Sequence, residues 1–398
     1  MGRIGVVLWM VMAFPAWSGE NGEPAEDAIL LGMSTALSGP ALFLGVNMHA
    51  GVMAAIEEAN QSGGIQGKPL RLICLDDGYE PARAAPNMRR LIDEYKVLTV
   101  IGNVGTPTAV AAIPIANASK TPFFGAFTGA GILRKNPPDR YVINYRASYA
   151  QEVAAMIRGL IVFGGLKPNE IGFFTQRDTY GDAGFIGGIE ALKDHGLTDE
   201  NDIIHSRYER NTLAVENGLA DIILAEHPPR AVIMVGAYGP CAEFIRLAQE
   251  SHFKAIFLNV SFVGTAPLSQ SLGTEGDGVI ITQVVPHYHS DLPLVREYRE
   301  ALRAYDPHAE YSFVSLEGYI VVRILRRALE RIEGGFTRDA VVDALENIGE
   351  FDIGLGEKLK IGADSHQACY RVWPTILKNG QAVPFQWEQL AEIRGEGK

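Results

Sequence analysis

The chain predicts an α/β protein of two lobes, each built on a doubly wound parallel sheet. Three observations lead there. Apolar runs of strand length alternate with helical patterns throughout the 398 residues, the mark of repeated βαβ units with helices on both sheet faces. The alternation comes as two series, the second beginning near Ser148. The length is enough for two domains.

The elements follow in order. Residues 29–36 read as a strand and 46–60 as a helix, with Val46, Met53, Ile56 and Ala59 near one face. Ser62-Gly63-Gly64-Ile65-Gln66-Gly67-Lys68-Pro69 is a turn whose glycines supply positive φ. Residues 70–75 form the second strand, 83–95 a helix and 97–101 the third strand. In the second series a helix runs from Ser148 to about residue 163, with strands at 171–175, 231–235 and 255–258. Helices follow Tyr180 and Tyr238, and long helical stretches come late, at 293–304 and 312–331. No low-complexity linker and no solenoid period interrupts the pattern.

At the N-terminus Arg3 precedes an apolar run over residues 4–14, Pro15 breaks it, and Ala16 and Ser18 are small residues two apart. This is the pattern of a secretory signal peptide, residues 1–18, cleaved after Ser18. About 11 apolar residues are too few to span a bilayer core of roughly 30 Å. No cysteine precedes Cys74, so there is no lipidation box, and a soluble exported protein is expected. The formal net charge is −12. Such an acidic surface argues against nucleic acid or an anionic membrane as partner. Cys74, Cys241 and Cys369 are an odd, widely spaced set, unlike a disulfide framework or a zinc site. Cys74 lies in a strand pattern and reads as a buried small side chain, although one disulfide is compatible with an oxidising compartment.

In open parallel sheets ligands bind beyond the carboxyl ends of the strands. That rule selects six loops: residues 38–45, 102–108, 123–129, 176–181, 236–239 and 259–262. They carry small polar residues and aromatics, as a small-molecule cleft does. The order of LGMSTALSGP, SGGIQGKP, LDDGYEP, VIGNVGTPTA and RDTYGDAGF resembles the type I periplasmic binding proteins, in particular the leucine/isoleucine/valine-binding components of ABC transporters. The resemblance covers nearly the whole mature chain and is strongest through residue 130 and at RDTYGDAGF. It implies two lobes joined by a three-strand hinge: 27–146 with 284–352, and 147–283 with 353–388.

The resemblance also implies a site. The Gly105-Thr106 and Thr128-Gly129 loops would hold a ligand α-carboxylate, and Tyr180 would face the ligand, with Tyr238 near another such position. The expected ligand-binding residues are Phe43, Leu44, Asn103, Thr106, Phe127, Thr128, Tyr180, Tyr238, Ser261 and Phe262. Two departures stand out. Ser261 occupies the loop where amino-acid binders place an acidic partner for the α-ammonium, and Leu44 replaces a common aromatic. An uncharged cleft has little to offset the desolvation of a buried ammonium. The expected ligand is therefore uncharged or largely apolar, lipid-like with one polar head, while a branched-chain amino acid or amide is the family default. Leu42, Phe43 and Phe262 can equally pack between loop and lobe without touching ligand.

Other chemistries have weak support. The chain has no GxSxG elbow, HExxH or P-loop, and no visible nucleophile–base pair, so an enzyme is not expected. His287-Tyr288-His289 with Asp291 reads as a solvated hinge-edge loop rather than a metal site. Asp76 and Asp77 point to opposite faces at a strand end and are expected to bond the following turn. No cofactor is expected. The expected partners are one small molecule and an ABC permease or other membrane transport component, with the protein a monomer in the periplasm. A sensing subunit for a receptor or regulator uses the same clamp.

Overall fold

The computed structural model describes residues 27–393; the signal-peptide expectation lies outside them. The first sheet has five strands: β1 (Ile29–Thr35), β2 (Leu70–Asp76), β3 (Thr99–Ile101), β4 (Phe123–Phe124) and β5 (Val142–Ile143). Their order is β2-β1-β3-β4-β5, all pairs parallel. The strand order reverses between β1 and β3, and a crevice opens there at the carboxyl ends. Helices α1 (Leu42–Gln61), α2 (Pro81–Asp93) and α3 (Thr106–Ala118) connect these strands.

The second lobe repeats the plan. Helix α4 (Tyr149–Arg158) leads into β6 (Ile171–Gln176), α5 (Thr179–Asp194), β7 (His205–Tyr208), α6 (Glu216–Ile223), β8 (Ala231–Val235), α7 (Tyr238–Glu250), β9 (Ile256–Asn259), α8 (Thr265–Leu272) and β10 (Ile280–Gln283). Then come α9 (Pro293–Tyr305), α10 (Phe313–Leu329) and α11 (Arg338–Glu346), and a small antiparallel pair, β11 (Gly349–Phe351) with β12 (Leu359–Ile361). Strands β13 (Trp373–Lys378) and β14 (Gln381–Pro384) then extend the second sheet, followed by a short helix at Leu390–Ile393. The order of that sheet is β14-β13-β10-β9-β8-β6-β7. The last two strands are antiparallel, so this sheet is mixed rather than wholly parallel. A second reversal of order lies between β6 and β8.

Helix α10 returns to the first lobe and packs along α1. Two glycines permit that approach. A Cβ on Gly51 would stand 1.8 Å from the Ser315 carbonyl oxygen, and one on Gly318 2.5 Å from that of Met48. Either side chain would push the helices apart, because cores tolerate little added volume. Helix α1 begins four residues earlier than the sequence pattern indicates, so Leu42, Phe43, Leu44 and Gly45 are its first turn and not a loop. Gly39, at φ 77°, turns the chain just before it. Val46 faces outward, and the buried face is instead Leu44, Met48, Val52, Ala55, Ile56 and Ala59. The helix from Ser148 is capped by a reciprocal Ser148–Gln151 box and passes into a π-helical turn at Gly159–Phe163. The three cysteines are free.

Candidate functional site

The carboxyl ends of the two sheets face one another, and the lobes are closed together there by aromatic and polar contacts. Phe262, in the loop after β9, lies between Tyr79 of the first lobe at 5.8 Å, Phe127 of the first lobe at 5.4 Å and Tyr180 at 4.7 Å between ring centroids. Gln176 donates to the Tyr79 hydroxyl at 3.1 Å. At the rim, Arg210 pairs with Glu80 at 2.7 Å and Asn211 donates to the same carboxylate at 2.6 Å. As expected, the Asp76-Asp77 pair bonds the following turn, Asp76 accepting from the Gly78 backbone and Asp77 from that of Tyr79; Asp76 also accepts from the Leu37 backbone and Asp77 from the Ser34 hydroxyl.

Beneath this aromatic layer lies a buried ionic cluster that spans the lobes. Arg146 follows β5, Glu152 lies on α4 and Glu317 on α10. Arg146 Nη2 is 3.3 Å from Glu152 and Nη1 is 3.6 Å from Glu317, and none of the three side chains is more than 2% exposed. The guanidinium also lies over the Phe127 ring, 4.7 Å from its centroid, in cation–π contact. Glu152 accepts from the Ser261 backbone at 2.8 Å, the Ser261 hydroxyl at 3.0 Å and the Thr282 hydroxyl at 2.7 Å. Arg146 also donates to the Ser261 hydroxyl. Burial pushes the Glu317 carboxyl up to about 7 against the pull of Arg146. At this loop the charged groups, Glu152 and Arg146, lie behind Ser261 and not on the cavity lining. Ser261 is neutral, but it rests on a glutamate and an arginine that the sequence reading did not place there.

A cavity of about 430 Å³ opens beside the cluster. Its deep wall includes Phe127, Ser261, Gln283, Phe313 and Glu317, and Phe43 stands at its edge. This is within the usual size of small-molecule pockets, about 300–1,000 Å³. Phe43 and Tyr238, 6.4 Å apart edge to face, continue into an apolar groove with Leu42, Val46 and Leu213 at the mouth. The His287-Tyr288-His289 loop also lines the cavity. It is not merely a solvated edge: the rings of His287 and Tyr288 stack at 4.5 Å and are half-buried. No cluster of metal-ligand type occurs among the described residues.

Of the ten expected site residues, Phe43, Phe127 and Ser261 line the cavity. Tyr238 lines the groove. The other six stand behind these surfaces. Thr106 and Thr128 hydroxyls bond one another at 2.7 Å, and the Thr128 backbone N–H is engaged by Ala126. Tyr180 is fully buried, its hydroxyl donating to the Gly236 carbonyl at 3.2 Å. Phe262 fills the interlobe aromatic layer, Leu44 is core, and Asn103 accepts from the Ser34 backbone at 3.4 Å.

Sequence reading missed Arg146, Glu152, Gln283 and Glu317. One signal was available for Glu317. It stands among Phe313, Val314, Leu316, Ile320 and Val321 on a helix buried almost all round, where an acidic residue is rare unless it has a partner or a task.

A family model described as periplasmic binding protein matches residues 28–381. Among solved structures, one described as a possible leucine/isoleucine/valine-binding protein from Rhodopirellula baltica SH 1 is 54% identical, with a TM-score of 0.89, covering 93% of this chain and all of that one. A leucine-binding protein from Thermotoga maritima MSB8, 20% identical, shares the fold with a TM-score of 0.78 over 90% of this chain and 98% of its own. Leu/Ile/Val-binding protein homolog 7 of Brucella abortus (strain 2308) is 26% identical over 84% of this chain and 86% of its own length. The matched span, the two lobes and the cleft between them agree: this chain belongs to the periplasmic binding protein family, with the two-lobed architecture of its type I members.

Proposed function

We propose that this protein is an exported solute-binding protein that closes its two lobes over one small molecule and delivers it to an ABC permease. The lobes are residues 27–146 with 284–352, and 147–283 with 353–388. The observation that carries this reading is the cavity of about 430 Å³ between the carboxyl ends of both sheets, walled by residues of both lobes. The family is one of solute binders rather than enzymes. The periplasm is the compartment that its family and the N-terminal segment support.

The favoured ligand is a largely apolar molecule with one polar head. Phe43, Phe127, Val284 and Phe313 give the cavity its apolar wall. The Thr106 and Thr128 hydroxyls, candidates for an α-carboxylate, bond each other and lie off the cavity lining. The alternative ligand is a branched-chain amino acid, which the descriptions of the Rhodopirellula and Brucella relatives favour. Native mass spectrometry of protein purified from the periplasm, followed by calorimetry with leucine, isoleucine and valine, tests the two. The proposal expects one retained small molecule and Kd values for the three amino acids weaker than about 0.1 mM, some −5 to −6 kcal/mol. Submicromolar leucine binding would replace the apolar ligand by the amino acid.

A further inference from the structure

We infer that the cavity selects ligands whose polar head is a nitrogen bearing hydrogen-bond donors, an ammonium or primary amide, and that Glu317 and Gln283 are the residues that read it. This rests on the interlobe cavity being the ligand site and names the chemistry of the head group.

Two buried side-chain atoms on the cavity wall have no partner among the described residues: Glu317 Oε1 and Gln283 Oε1. Both side chains are nearly inaccessible, at 2% and 1% exposure. A buried polar atom left unpaired is costly, and such atoms are few in folded proteins.

The orientation of Gln283 follows from its neighbours. Its Nε2 lies 3.1 Å from Thr375 Oγ1 and 2.9 Å from Thr265 Oγ1. The Thr375 hydroxyl proton is committed to the Ile281 carbonyl at 2.8 Å. Thr375 Oγ1 must therefore accept, which places the amide nitrogen there and leaves the amide oxygen as the free end. Glu317 is similarly constrained. Its Oε2 faces Arg146 at 3.6 Å, while Arg146 is held on its other side by Glu152 and Ser261.

Two donors on this wall are used, while Arg146 Nε and Nη1, behind the wall and beside Glu317, have no hydrogen-bond partner among the described residues. The Ser261 hydroxyl donates to Glu152, and His287 has both ring nitrogens engaged, with Ala382 and with the His289 backbone. The unpaired deep groups on this wall are thus both acceptors, one from α10 of the first lobe and one from the end of β10 in the second. A ligand that supplies N–H donors satisfies both lobes at once and favours their closed arrangement. A carboxylate head presents acceptors to acceptors and is repelled by Glu317. Glu317 stands on a different element from the Ser261 loop, so reading that loop alone leaves it out.

The test uses three ligands of matched branched carbon skeleton with the full mature chain at pH 8: 3-methylbutylamine, 3-methylbutanamide and 3-methylbutanoate, titrated by calorimetry. The amine and amide are expected to bind at least about tenfold more tightly than the carboxylate. Glu317→Gln is expected to weaken the amine by about tenfold or more and the amide less, and Gln283→Leu to weaken both. Thermal melts of each variant separate lost binding from lost fold, and the wild-type series needs no variant. Carboxylate binding as tight as amine and amide, no binding of either nitrogen ligand up to 10-fold the concentration at which the carboxylate is scored, or an amine affinity unchanged in a folded Glu317→Gln protein overturns the inference. The underlying cleft reading fails differently, by wild-type protein retaining no small molecule of any head group from periplasmic extract.

Discussion

Arg146 and Glu317 face each other at 3.6 Å, wholly removed from solvent, with Glu152 on the far side of the same guanidinium. The three come from the end of β5, from α10 and from α4, so the cluster joins the lobes where the chain crosses between them. Two carboxylates share one arginine, and burial, with Glu152 adding to it, raises the affinity of Glu317 for its proton against the pull of Arg146.

Removing Arg146 strands two buried carboxylates. Arg146→Met should destabilise the protein by about 3–5 kcal/mol, read by urea denaturation followed by circular dichroism. Arg146→Lys should recover only part of this, because one ammonium cannot reach both glutamates as the planar fork does.

Glu317 gives stability a pH dependence with a defined sign. Its carboxyl titrates at about 7 in the folded protein against 4.5 for the ordinary side chain. Between those values the folded state holds the proton that the unfolded state has released. Stability therefore falls as pH rises from about 4.5 to about 7 and the contribution is flat beyond. Glu317→Gln should remove that slope. The variant is expected to gain roughly 1–3 kcal/mol on the wild type between pH 5 and pH 8. The groups facing this carboxyl are Arg146, Glu152 and Arg134. An identical pH profile for the two proteins would show that Glu317 stays charged throughout.

The rim contacts act on closure rather than on folding. Glu80 receives Arg210 and Asn211 from the opposite lobe, and the pair is partly exposed. Exposed pairs contribute about 0.2–1 kcal/mol. Glu80→Ala should leave the melting of each lobe nearly unchanged and raise the radius of gyration in small-angle scattering, as the closed population drops a few-fold. No change in scattering together with unchanged ligand affinity would show that the rim contributes nothing to closure.

Tyr180 separates covering a ligand from holding the site. Its hydroxyl bonds the Gly236 carbonyl and its ring packs on Tyr149 at 5.1 Å and on Phe262. Tyr180→Phe should cost about 1 kcal/mol of stability and change ligand affinity less than about twofold. A large affinity loss at unchanged stability would place the hydroxyl in direct contact with ligand.

The lobes were readable because the alternation of apolar strands with amphipathic helices is local information, repeated along the chain. The start of α1 was misplaced for a local reason as well. Gly45 reads as part of a loop, yet it lies in the helix, where only glycine fits because a Cβ would stand 1.9 Å from the Ala36 carbonyl oxygen. Of the six loops chosen, three supply Phe43, Phe127 and Ser261 to the lining of one cavity. The polar chemistry was hidden. Arg146 and Glu317 are 171 positions apart, and nothing in either neighbourhood announces the other. The same holds for Gln283, whose free oxygen is fixed by Thr375 on a strand that joins the sheet only at the end of the chain. Ser261 was identified as a site residue, but its environment depends on Glu152, brought beside it by tertiary folding.

The central claim is that one small molecule is held between the lobes, and a crystal structure of the protein loaded from periplasmic extract tests it most directly. The account predicts density for a single ligand enclosed by both lobes, against Phe127, Gln283, Phe313 and Glu317, with a nitrogen donor directed at the Glu317 carboxylate. Density for a ligand lying wholly on the outer surface of one lobe, with this cavity unfilled, would contradict it.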